Sequence, residues 1–263
     1  LLIGLAIWAA GLDGAGEGYR TFLLRWDGAE LTNLTTIRNA FTQAFFSIGT
    51  GIGCILAYSA YLDRDAHLPR EAVAVVGMDT AVGLLAGMVT FPVVMSFGLQ
   101  DVISGSTLGT IFIALPTGLA SLGSTGQLVA LLFFGLAFLA AITSAVSLLE
   151  VPVACLMDRL NWTRSRAVWV STAVIFVLGL PAATSLGVLG WMDSVFGGLL
   201  LILGGLLLAL LLGWVVPRRF SDDLEQSSTP PALRRFLLVL LRWVSPPIVA
   251  TGLVISVIDL VQG

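Results

Sequence analysis

Residues 45–54, FFSIGTGIGC, place Gly49, Gly51 and Gly53 with a serine and a threonine in the middle of an apolar run. Each interior glycine costs a helix ~1 kcal/mol relative to alanine, so unwinding is cheap here. Unwound backbone offers carbonyls and N–H groups, which hydrocarbon tolerates only where they face protein or a polar cavity. The competing reading is close helix packing, because Gly49-x-x-x-Gly53 is a small-residue match. Asp79 lies in the next run, VVGMDTAVGLLAG. A carboxylate at membrane depth is expensive and points to function, unless it sits at a helix end in the cytoplasmic interface. Farther on, in AFLAAITSAVSLLEVP, Ala140, Thr143, Ser144 and Ser147 recur at i, i+3, i+4 and i+7. That spacing makes one small, hydroxyl-bearing helix face. Such faces serve packing, and their hydroxyls bond carbonyls one turn back. Beside an unwound segment, the same face supplies the hard oxygen ligands that Na⁺ coordination needs. Glu150 follows two turns after Thr143 and is either a hydrogen-bonded structural carboxyl or part of an ion or proton path; with no partner apparent in the sequence, the structural reading is preferred.

The elements that position these residues are membrane spans. Hydrophobic residues make up 57% of the chain and charged ones 11%, with mean hydropathy +0.98. A soluble domain carries about a quarter charged residues, so a soluble reading fails. A span needs ~20 mostly apolar residues. On that ruler, residues 1–11 are the end of a transmembrane helix and 12–35 an extracellular segment. Residues 36–62 form a broken transmembrane helix and 72–99 another span. An extracellular re-entrant or hairpin loop covers 100–124. Further spans fall at 125–158, 165–187 and 189–216. A cytoplasmic linker, 217–233, leads to the last span at 234–262.

All cationic residues are arginine, and from residue 63 on they alternate between connections; Arg20 and Arg25 in 12–35 are the exception, offset there by Asp13, Glu17, Asp27 and Glu30. Arg64 and Arg70 lie in one, Arg159, Arg164 and Arg166 in the second following, and Arg218, Arg219, Arg234 and Arg235 in the fourth. The connections between them hold none, so the arginine-bearing loops are cytoplasmic. No basic patch suggests nucleic acid. Cys54 and Cys155 sit in apolar runs as small hydrophobes, and His67, the single histidine, has no ligand-spaced partner. No nucleophile–base pair appears either, so the chain is not read as an enzyme.

Several stretches in order and spacing resemble the neurotransmitter:sodium symporter family. TQAFFSIGTGIGCILAYSAYLDRD is similar to that family's broken sixth helix, GMDTAVGLLAGMVTFPVVM to its seventh and FLAAITSAVSLLEVPVACLMDRL to its eighth. LGWMDSVFGG resembles the start of its tenth. The resemblance implies an all-α integral membrane protein with the LeuT-type inverted-repeat transporter fold, here the second repeat plus one extra helix. It further implies a multi-pass protein of the cell (inner) membrane that moves an amino acid with Na⁺ by alternating access. Leu1 stands in mid-apolar run, so the N-terminal helices of the same transporter are expected upstream. Without their half of the site, residues 1–263 are expected not to transport. A homodimer is left open.

Carried over by position, the resemblance assigns Ser47 and Asp79 to a first sodium site. It assigns the Ala140 carbonyl and the Thr143 and Ser144 hydroxyls to a second. Phe46, Gly49, Ile52, Ser144 and Leu148 would line the substrate pocket. Asp193 would be the extracellular gate carboxylate, and Tyr61 and Asp158 would belong to the intracellular gate. Three departures shape the expectations. Asp79 stands where the family has asparagine, and Gly83 where chloride-independent relatives have a carboxylate and chloride-dependent ones a serine. With Asp79 supplying the charge, chloride is not expected to be required. Gly49 and Ile52 replace a serine and a phenylalanine of the model bacterial leucine carrier, which enlarges the pocket for large apolar or aromatic amino acids. The rival readings are a proton-coupled carrier of the same fold with another amine substrate, and a channel-like or non-transporting structural membrane subunit. Fold alone does not fix the coupling ion.

Overall fold

The computed structural model describes residues 1–59, 66–100 and 110–262, which are helical with short connections and no strand among them. In chain order these are α1 (Leu2–Ala10), α2 (Ala15–Tyr19), α3 (Leu34–Ile48), α4 (Cys54–Ser59), α5 (Leu68–Ser96), α6 (Leu115–Ala120), α7 (Ser124–Leu160) and α8 (Arg164–Thr184). They continue as α9 (Leu186–Val215), α10 (Pro217–Gln226) and α11 (Pro231–Val261). Among the described residues, α5, α7, α8, α9 and α11 are each long and apolar enough to cross a membrane. At 1.5 Å per residue, α7 alone is ~55 Å long. Helices α9 and α11 are not uniformly α-helical. π-helical turns interrupt α9 at Asp193–Leu199 and Leu211–Val215, and α11 at Leu240–Val244.

The chain divides into two compact units. The first comprises Leu1–Asp27 and Val76–Thr143. Its core joins Leu5 and Ala6 of α1, Val89 of α5, and Leu115 and Leu119 of α6, with Trp8, Leu85, Met88 and Phe133 packed around them. Small residues let the chain come close. A side-chain carbon on Gly18 would lie 2.6 Å from Pro92 Cα, and one on Gly118 would lie 2.6 Å from the Val93 side chain. Phe22 stacks on Phe91 at 4.8 Å between centroids.

The second unit comprises Gly28–Val75 and Ser144–Gly263. Here α3 packs on α9 and α11 by aromatic-on-glycine contacts, Phe45 against Gly205 and Phe41 against Gly252. Asn33 caps α3, its Oδ1 accepting from the N–H groups of Thr35 at 3.1 Å and Thr36 at 3.4 Å, which satisfies two of the helix's orphan donors. One turn further, Arg38 pairs with Asp259 at 2.6 Å, and the Thr35 hydroxyl donates to the same carboxylate at 2.8 Å. The start of α3 is thereby tied to the end of α11.

Candidate functional site

In the second unit, α3 does not bend at the glycine cluster; it stops. Gly49 adopts φ +71°, a left-handed conformation that glycine enters without Cβ strain. Its N–H donates to the Phe46 carbonyl at 3.2 Å, and the Thr50 N–H donates to the Phe45 carbonyl at 3.3 Å. That pair of bonds is the Schellman motif, the ordinary way a helix is terminated. The motif takes up Phe45 and Phe46, and the Ser47 carbonyl comes at the next position along. Gly53, at φ +90°, turns the chain back into α4, whose first turn is closed by Ala57 N–H onto the Gly53 carbonyl at 3.0 Å.

Each side of the break is held differently. Gly51 lies so near α9 that a side-chain carbon there would stand 2.0 Å from the Leu201 carbonyl oxygen. The reciprocal carbon on Gly204 would stand 2.3 Å from the Gly51 oxygen. Packing and unwinding, the two readings of the glycines, are thus realised together. Beyond the break, α4 leans on α7: the Tyr58 and Ser147 hydroxyls are hydrogen-bonded, and Gly53 leaves only 3.3 Å to Val151 for an added carbon. Phe46, Ser47 and Leu148 are exposed in this chain, and Gly49 and Ile52 are half-buried.

Along α7, the Thr143 hydroxyl donates to the Ala140 carbonyl at 2.8 Å, the back-bond that a helical threonine ordinarily makes. Ser144 follows on the same stretch of helix, exposed. In the first unit, Asp79 lies within α5, eleven residues after its start at Leu68. That is about 16 Å along the axis, so Asp79 is not an N-terminal cap. A side-chain carbon on Gly83, one turn later, would meet nothing within 4 Å.

Of the gate residues, Asp193 is exposed at the head of the first π-helical turn of α9, and Asp158 is exposed near the end of α7. Tyr61 lies outside the described residues. One expectation needs correcting. Glu150 does have a partner: Arg164 donates to both its carboxylate oxygens, at 2.9 and 2.8 Å. Glu150 is 15% exposed and Arg164 56%. The three-residue connection 161–163 turns the start of α8 back along α7, which brings together two residues fourteen apart in sequence. Tyr58 is not marked by the family resemblance, which points instead to Tyr61, three residues on. Its signal was present, because Ser147 belongs to the hydroxyl face that the sequence displays.

Comparison with known proteins gives concordant findings. The model of the family described as "Sodium:neurotransmitter symporter family" matches residues 1–262. A sodium-dependent transporter of Bacillus subtilis, YhdH, is 38% identical over 193 residues, covering 72% of this chain and 41% of its own length. The sodium-dependent nutrient amino acid transporter 1 of Drosophila grimshawi is 29% identical over 227 residues, covering 82% of this chain and 35% of its own. The crystal structure of MhsT in complex with L-phenylalanine superposes with a TM-score of 0.88 at 35% identity, over 97% of this chain and 59% of MhsT. The chain thus spans roughly a third to three-fifths of the length of these relatives.

Proposed function

The chain belongs to the sodium:neurotransmitter symporter family, a family of sodium-dependent transporters rather than enzymes, and from that premise we propose that it carries the ion and substrate ligands of a Na⁺-coupled symporter for large apolar or aromatic amino acids. The observation that carries the proposal is the capped stop of α3 at Gly49, in an otherwise apolar stretch. A helix that ends at membrane depth turns its C-terminal partial negative charge and its last carbonyls toward whatever binds there. Such ends, with unwound carbonyls, are where transporters of this architecture coordinate Na⁺.

In this reading Ser47 and Asp79 bind one Na⁺ as co-substrate, and Ala140, Thr143 and Ser144 bind another. Phe46, Gly49, Ile52, Ser144 and Leu148 shape the amino-acid pocket. Each Na⁺ that enters down the membrane potential contributes ~2.3 kcal/mol per 100 mV. Asp79 adds a fixed negative charge beside the first ion, which removes the need for chloride. Opening and closing fall to Asp193 on one side and to Tyr61 and Asp158 on the other. The pocket reading is supported by MhsT, whose solved complex holds L-phenylalanine.

Competition tests it. With the full-length protein in proteoliposomes, uptake of labelled phenylalanine is expected to be suppressed by tryptophan and leucine well before glycine or alanine. Replacing chloride with gluconate is expected to leave the rate unchanged. Glycine or alanine as the best competitor would overturn the pocket assignment, and a strict chloride requirement would overturn the role given to Asp79.

A further inference from the structure

The second unit contains an arrangement that lies outside the residues assigned to ion and substrate binding. The π-helical turn Leu211–Val215 at the end of α9 packs against the π-helical turn Leu240–Val244 of α11. Gly213 makes this approach feasible, since a side-chain carbon there would lie 2.8 Å from the Leu241 carbonyl oxygen. π-helical turns are rare and gather at functional sites. Between the two turns, Arg242 sits in a corner of two indoles. Its guanidinium carbon is 4.6 Å from the Trp214 ring centre and 6.0 Å from that of Trp243, and the rings meet at 70°. The Trp214 indole N–H donates to the Arg242 carbonyl at 3.1 Å, which fixes the corner.

Three features say what this corner receives. Arg242 lies in the π-helical turn of α11, in the half of that helix nearer the connection from α10. Among the described residues it forms no ion pair, whereas Arg234 on the same helix is bonded to Glu225. Both indoles are substantially exposed, Trp214 at 47% and Trp243 at 61%. The indoles pack beside the exposed Arg242 guanidinium, whose N–H fork suits phosphate oxygens taken in pairs. Tryptophan and arginine together mark the headgroup level of a bilayer. Arg218 and Arg219, both exposed, follow Trp214 within two turns and add positive charge at the same end of α9.

We propose that Trp214, Arg242 and Trp243 form a site for the phosphate of an anionic phospholipid in the cytoplasmic leaflet, with Arg218 and Arg219 favouring the anionic headgroup. The site is independent of which amino acid the protein carries.

Native mass spectrometry of the delipidated protein in mild detergent tests it, with phosphatidylglycerol and phosphatidylcholine of matched acyl chains as probes. The wild-type protein is expected to retain one phosphatidylglycerol at about tenfold lower lipid concentration than phosphatidylcholine, as clustered basic side chains near a headgroup confer. Arg242→Gln should erase that preference, and Arg242→Lys, which keeps the charge but loses the fork, should lose most of it. The exposed pair Arg218→Gln/Arg219→Gln should reduce the preference a few-fold without threatening the fold, and Arg70→Gln in the first turn of α5 should not change it. Equal retention of the two lipids by wild type would overturn the proposal; it is the result expected if another protein segment covers the corner. Undiminished phosphatidylglycerol binding by Arg242→Gln would overturn it as well. Displacement by millimolar inorganic phosphate would make this a small-anion site and overturn the lipid assignment.

Discussion

Thr143→Ala is expected to raise sharply the Na⁺ concentration that amino-acid uptake by the full-length protein needs, while leaving the fold intact. The substitution removes one hydroxyl and one methyl group from a helix position exposed in this chain, and alanine is the best helix former, so α7 should persist. What is lost is an oxygen 2.8 Å from the Ala140 carbonyl. In the proposed mechanism that oxygen exchanges its bond to the carbonyl for a bond to the ion, so the two oxygens act as a pair. Losing one ligand of a weakly bound monovalent ion is expected to raise the Na⁺ concentration for half-maximal uptake about tenfold or more, equivalent to ~1.4 kcal/mol per factor of ten. Thr143→Ser keeps the oxygen and should restore most of the affinity. Initial uptake rates against external Na⁺ decide the matter. An unchanged Na⁺ dependence in Thr143→Ala would remove Thr143 from the ion site.

The second large effect is on stability. Gly51→Ala should destabilise the second unit strongly, because its new methyl group would fall 2.0 Å from the Leu201 carbonyl oxygen. The obstruction is backbone rather than the end of a mobile side chain, so α9 must move away from the break. Overpacking of this kind costs ~1–3 kcal/mol or more, and a fall of several degrees in Tm is expected. Gly179→Ala is the matched control: it lies in the interior of α8 with nothing within 4 Å of the added carbon. It should be neutral or gain up to ~1 kcal/mol from helix propensity. Thermal unfolding of the two variants in one detergent separates them, and equal Tm values would mean that Gly51 does not make the close approach described here.

These two cases also show what can be read from the sequence alone. The helix stop at Gly49 was legible because the signal is local. Three glycines within five residues have few uses inside an apolar run, and a Schellman cap needs one at the left-handed position. The hydroxyl face of α7 was equally legible, since helical periodicity puts Ala140, Thr143, Ser144 and Ser147 on one side whatever they touch. The family followed from the order of such motifs, and the all-helical fold from the family. The bidentate Glu150–Arg164 pair was not legible, because it depends on how a three-residue connection turns. Neither was the Tyr58–Ser147 bond, which joins residues 89 apart in sequence. The π-helical turns left no trace in the hydrophobic pattern, as one extra residue per turn in a leucine-rich run leaves every face apolar. The Trp214–Arg242–Trp243 corner depends on two such turns and so emerged only in three dimensions.

The central claim is that transport is driven by Na⁺. Its most direct measurement is phenylalanine uptake into proteoliposomes by the full-length protein, at fixed pH, with external Na⁺ compared against choline. Concentrative uptake in Na⁺ and none in choline is the predicted result. Uptake that is indifferent to Na⁺ and follows an imposed pH gradient would contradict it and assign the coupling to protons.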